Sequence, residues 1–177
     1  MATVGWRRLV PAAVFAAALL GAALTGPFPA WAEDDPSFIS LYAGGYDLIG
    51  NNAHPEGIFG AEFRFGYKLW IFKPFIGAFG TSRGSAYGYG GFLVDIYFGN
   101  RFVLTPSAAV GYFHQGGGKE LGSNTEFRTG AEIAYRFDNR SRLGLSFYHI
   151  SNAGITQQNP GEEQAAIVFS IPFNLLK

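Results

Sequence analysis

From residue 38 onward, apolar and polar side chains alternate with a period of two, the repeat of a β-strand whose two faces meet different surroundings. Eight segments carry the pattern: residues 38–47, 58–69, 71–80, 87–98, 102–114, 125–137, 142–151 and 163–173. In segment 125–137, Phe127, Thr129, Ala131, Ile133, Tyr135 and Phe137 share one face, and Glu126, Arg128, Gly130, Glu132, Ala134 and Arg136 share the other. Segment 58–69 sets Phe59, Ala61, Phe63, Phe65, Tyr67 and Leu69 against Glu62, Arg64, Gly66 and Lys68. These lengths match the roughly 9–11 residues that a tilted strand needs to cross a bilayer. The connectors alternate in length as well. Short ones fall at residues 70, 99–101 and 138–141, and longer ones at 48–57, 81–86, 115–124 and 152–162. Tight turns on one side and longer loops on the other are the form of an outer-membrane barrel.

A secreted sandwich or a lipocalin-like barrel would also alternate, but it would bury the apolar face against other apolar side chains. A small membrane barrel turns that face to lipid and packs the charged residues inside as a network. The charged face in this chain carries both signs at close spacing, as a filled polar lumen requires, and the strand count is even. Segment 38–47 is weakly patterned, and Lys73 leaves the parity of segment 71–80 open. Pro74, Pro106 and Pro172 fall near the short-turn ends of their segments, where a residue without an N–H costs a closed ladder least. The expected fold class is therefore all-β, an eight-stranded antiparallel transmembrane β-barrel of outer-membrane type.

The first residues read differently. Arg7 and Arg8 precede an Ala/Leu-rich run, and Ala30-Trp31-Ala32 supplies a small-x-small cleavage site. Residues 1–32 are expected to be a cleaved signal peptide, and residues 33–177 the barrel. Losing both arginines leaves the remainder slightly acidic, which is no electrostatic footprint for nucleic acid. There is no cysteine, so disulfides and thiolate zinc sites are both excluded.

Period two also locates candidate chemistry. In segment 142–151 the apolar set Leu143, Leu145 and Phe147 is odd-numbered, and His149 and Ser151 continue it. In segment 163–173 the apolar set Ala165, Ile167, Phe169, Ile171 and Phe173 is odd-numbered too, and Glu163 begins it. All three polar residues are thus expected on the lipid side, at the long-loop end of a hairpin. If Ser151 pairs opposite Glu163, His149 becomes the diagonal neighbour of Glu163, about 7–8 Å away. A hydroxyl, an imidazole and a carboxylate in that order form the nucleophile, base and orienting group of a serine esterase. Asn152, Asn159 and the backbone N–H groups around Gly154 are the local candidates for an oxyanion hole. The bland alternative is an interfacial histidine and a solvated glutamate, and an interfacial role is the reading that suits His54 and His114. Three polar residues on one lipid-facing stripe argue against it for the hairpin, although the cost of polar groups is smaller near the interface than at the midplane.

Residues 147–173 resemble the PagL family of lipid A 3-O-deacylases. The matching residues are His149-Ile150-Ser151-Asn152-Ala153-Gly154 (H-x-S-N-A-G), Asn159-Pro160-Gly161-Glu162-Glu163 (N-x-G-x-E) and Ile171-Pro172. The resemblance implies that His149, Ser151 and Glu163 are catalytic, with parity and motif spacing both choosing Glu163 over Glu162. It also implies that Asn159 serves the oxyanion hole and that Phe127, in NTEFRTG, contacts substrate. It further implies hydrolysis of the 3-position acyl ester of lipid A, releasing a 3-hydroxy fatty acid, with no metal or organic cofactor. The partner would be lipopolysaccharide in the outer leaflet, met by an integral outer-membrane protein acting as monomer or homodimer, its site toward that leaflet. The tail 174–177 after Phe173 departs from the terminal aromatic on which such barrels often end. Two rival readings are an outer-membrane phospholipase, which also uses an H-x-S pair, and a non-catalytic adhesin or structural barrel.

Overall fold

The computed structural model describes residues 36–49 and 53–176, so the expected leader lies outside the described residues. Nine strands build one sheet: β1 (Phe38–Tyr46), β2 (Glu56–Arg64), β3 (Lys73–Thr81), β4 (Ala86–Leu93), β5 (Ile96–Phe98), β6 (Phe102–His114), β7 (Thr125–Arg136), β8 (Arg142–Ser151) and β9 (Glu162–Pro172). Consecutive strands pair antiparallel except β4 and β5, which both pair with β6, and β9 returns to β1. The ladder therefore closes into a barrel of eight staves, and a closed barrel leaves no edge to be capped.

β4 and β5 are one stave with a local interruption. Leu93 faces Ser107 and Ile96 faces Leu104, so the register is continuous across the gap. Val94 N–H still donates to Pro106 O at 3.1 Å, but Pro106 has no N–H to return. A second proline trims β2. Phe65 N–H donates to Pro74 O at 3.1 Å, and Gly66 N–H leaves the ladder for Ser37 Oγ at 3.0 Å. The chain then turns at Trp70 (φ +63°) between the paired Leu69 and Phe72. Polarity alternation alone carried this segment on to Leu69; the ladder stops at Arg64. The aromatics beyond it instead form a rim with the end of β2: Phe65 meets Phe63 edge to face and Tyr67 at a tilt, and Phe173 packs edge to face on Phe63. Phe173 opens a single turn of 3-10 helix (Phe173–Leu176), tied back by its N–H to Ser37 O at 2.7 Å.

The outer wall is apolar, with Leu41, Phe59, Ile76, Ile133, Leu145 and Ile167 all exposed. That is the surface of a protein solvated by lipid. The lumen is filled by two charge networks. In the first, Glu62 accepts from Arg64 Nε (2.9 Å), Arg128 Nη1 (3.1 Å) and Tyr89 O–H (2.9 Å), while Arg64 Nη2 donates to Glu132 at 2.6 Å. The Arg128 guanidinium lies 3.4 Å from the centre of the Tyr148 ring. In the second, nearer the short turns, Asp95 accepts from Lys73 (2.7 Å), Arg142 (2.9 Å) and Thr105 (2.8 Å). Buried charges of this kind persist only when each is paired and hydrogen-bonded.

The two networks make the barrel sensitive to loss of one partner. Glu62→Ala would strand Arg64 and Arg128 in the lumen, and removing one member of a buried pair costs about 3–5 kcal/mol. The expected result is a lower urea midpoint for loss of the heat-modifiable folded form in detergent, while Ile133→Val on the outer wall changes it little.

Candidate active site

β8 and β9 form the hairpin on which the three odd-numbered polar residues sit. Along β8, Arg142, Gly144, Ser146, Tyr148 and Ile150 are buried, whereas Leu143, Leu145, Phe147 and His149 are exposed. Glu162 and Glu163 divide in the same way. Glu162 is fully buried and its Oε2 accepts the Asp47 N–H at 3.2 Å, whereas Glu163 is on the outer wall.

The register differs from the one expected. Glu163 lies directly opposite His149 rather than opposite Ser151, and Ile150 with Glu162 is the last pair of the ladder. A direct cross-strand pair brings side chains closer than a diagonal one. His149 Nδ1 is 3.2 Å from Glu163 Oε1. If Nδ1 carries the proton toward the carboxylate, Nε2 is the free acceptor. Ser151 lies two residues along the same strand, on the same side. Its cross-strand neighbour is Phe127 of β7, and that of His149 is Thr129. Among the described residues no hydrogen bond joins Ser151 Oγ to the imidazole.

The loop 152–161 is held from within. Asn152 is fully buried, and its side-chain amide donates to Leu121 O (3.0 Å), Gln158 O (2.7 Å) and Thr156 Oγ1 (3.0 Å). Its Oδ1 accepts the Gly154 N–H at 2.9 Å, closing a turn in which Ala153 (φ +54°) and Gly154 (φ +81°) are both left-handed. Asn152 and Gly154 are thereby committed to the loop. Asn159 differs: its Oδ1 accepts the Asn152 N–H at 3.0 Å, and its Nδ2 has no partner among the described residues. Anchoring the oxygen of an amide fixes where its N–H groups point. At the start of β9, the Leu48 N–H donates to Glu163 O at 3.2 Å, which secures the backbone that carries the carboxylate.

Sequence reasoning missed the docking of loop 115–124 onto this loop. Leu121 is buried beneath it, and Thr156 Oγ1 stands 3.1 Å from Gly122 O. The same loop reaches two others, through Lys119 to Asp47 (2.6 Å) and through the Gly117 N–H to Arg83 O (2.9 Å). One signal was available: Leu121 is an apolar residue isolated in the polar run GGGKELGSN.

Comparison with known proteins bears on the family and the fold. The family model described as lipid A 3-O-deacylase (PagL) matches residues 77–172, which is more than half of the chain and includes His149, Ser151 and Glu163. A solved structure, the crystal structure of the outer membrane enzyme PagL, is similar at a TM-score of 0.58 and 20% identity, covering 77% of this chain and 99% of that one. At that identity the likeness shows the fold. A search of curated proteins finds no significant match.

The hydrogen bonds of Asn152 predict a local effect. Asn152→Ala removes its contacts to Leu121, Thr156, Gln158 and Gly154, so loops 115–124 and 152–161 are expected to separate. Amide exchange in both loops should quicken, while the strands keep their protection.

Proposed function

The chain belongs to the PagL family of lipid A 3-O-deacylases, and from that premise we propose that it hydrolyses the 3-position acyl ester of lipid A with Ser151, His149 and Glu163. The observation that carries this reading is the 3.2 Å contact between His149 Nδ1 and Glu163 on the outer wall, with Ser151 beside it on the same face. Glu163 holds the Nδ1–H tautomer and stabilises the imidazolium that forms during the reaction. His149 Nε2 takes the Ser151 proton as Oγ attacks the ester carbonyl. Asn159 Nδ2 donates to the resulting oxyanion. His149 then returns the proton to the departing sugar hydroxyl, leaving an acyl-serine. Water, deprotonated by His149, attacks that ester and releases the 3-hydroxy fatty acid. Phe127, across the ladder from Ser151, offers an apolar surface to the acyl chain.

Placement on the outer wall suits a substrate that is itself a membrane lipid. Lipopolysaccharide lies in the outer leaflet, and the hairpin carries its polar residues at the long-loop end of the barrel. An ester arriving by lateral diffusion would meet Ser151 without leaving the bilayer. The protein is thus expected in the outer membrane with the site toward the outer leaflet.

Mass spectrometry of lipid A from cells expressing the protein should show loss of one hydroxy-acyl chain. With Ser151→Ala the lipid A should stay intact although the barrel is assembled. Unchanged lipid A with the native protein would leave the non-catalytic reading standing, and release of fatty acid from phospholipid alone would favour the phospholipase. Asn159→Ala should lower kcat by about 10²–10³-fold, the effect of removing one oxyanion donor, measured on purified lipid A in detergent.

A further inference from the structure

We propose that Gly161 is a positioning residue for His149, its missing side chain leaving the slot in which the imidazole stands. The inference rests on His149 being the base of the proposed reaction. Gly161 is buried immediately before β9 and has a left-handed backbone, φ +63°. A Cβ built there would stand 2.7 Å from His149 Cε1 and 3.3 Å from Nε2, with Ile150 O at 3.5 Å. Cε1 lies between the two ring nitrogens. Gly161 therefore borders the edge of the ring that carries Nε2, while Glu163 holds Nδ1 at 3.2 Å. The imidazole is confined on two adjoining sides, one by a carboxylate oxygen and one by bare backbone.

The two roles of Gly161 follow from one residue. Its positive φ turns the chain from loop 152–161 into β9 so that Glu162 pairs with Ile150 and Glu163 with His149. Its lack of a Cβ lets the ring occupy the space beside that turn. The backbone at this point leads straight into the last ladder pair, Ile150 with Glu162, whereas the imidazole is the end of a rotatable side chain. An added methyl must therefore displace the ring, carrying Nδ1 away from Glu163 and Nε2 away from Ser151. A misplacement of about 1 Å in a catalytic group can cost about 10²-fold in rate. Gly84 supplies the comparison. It shares the left-handed backbone, φ +83°, but a Cβ there meets nothing within 4 Å.

The test compares the full-length native protein with Gly161→Ala, Gly161→Asn and Gly84→Ala in detergent. Assembly is read from the heat-modifiable band on unheated gels. Steady-state deacylation of purified lipid A gives kcat and KM, and a fluorophosphonate probe reports the reactivity of Ser151. Asparagine tolerates a left-handed backbone better than alanine yet carries the same Cβ. The expected result is that both Gly161 variants assemble, with kcat lowered about 100-fold, KM within about twofold and probe labelling slowed in step, while Gly84→Ala behaves as the native protein. An assembled Gly161→Ala with kcat within about threefold of native overturns the inference, whatever the fate of the catalytic reading. Failure of both Gly161 variants to assemble beside a folded Gly84→Ala also overturns it, because Gly161 would then be a folding requirement. A native protein that neither deacylates lipid A nor labels with the probe sinks the serine-esterase reading itself, and this inference with it.

Discussion

Closure of the ladder is the interaction on which everything else in this molecule depends. Once β9 pairs with β1, no strand in the wall is left with an open edge, which a bilayer demands of any sheet that crosses it. Closure also divides each strand into an inward and an outward row. Around Glu62 and Asp95 the inward row pairs its charges. The outward row is largely apolar. His149 and Glu163 depart from it at the end of the wall, where the penalty for polarity is smallest.

The His149–Glu163 contact is not a stability device. Both side chains are partly exposed, at 46% and 25%, and ion pairs in such settings contribute little. Its value is orientation. The rigidity behind it comes from elsewhere: the lumen networks below, the Leu48 bond to the backbone of Glu163, and the loop held together by Asn152. Asn152 has a different standing from the one that its place in the motif suggested. Its amide joins two loops, while the neighbouring Asn159 is left with its N–H groups unengaged. Proximity in sequence to Ser151 says little about which amide keeps its N–H groups free.

The staves and their faces were legible because period two is a local property. Each strand reports the surroundings of its two sides without reference to any other strand. Errors arose where pairing overrode patterning. The aromatics Phe65, Tyr67 and Leu69 alternate as a strand would, yet the ladder ends at Arg64, because Pro74 cannot return a hydrogen bond and Gly66 bonds Ser37 instead. Pro106, facing Val94, interrupts the fourth stave between Leu93 and Ile96 for the same reason, although the register continues past it.

The amino-acid sequence by itself determined the number of staves, the residues facing lipid, and the common outward side of His149, Ser151 and Glu163. Tertiary structure alone decided that Glu163 faces His149 instead of Ser151, that loop 115–124 is fastened to the site through Leu121 and Gly122, and that Gly161 borders the imidazole. The reason is physical. Shifting one strand by two residues preserves every inside and outside assignment, so polarity cannot choose between the two registers. That choice falls to the turn connecting the strands and to contacts between loops far apart in the chain, and neither leaves a periodic trace.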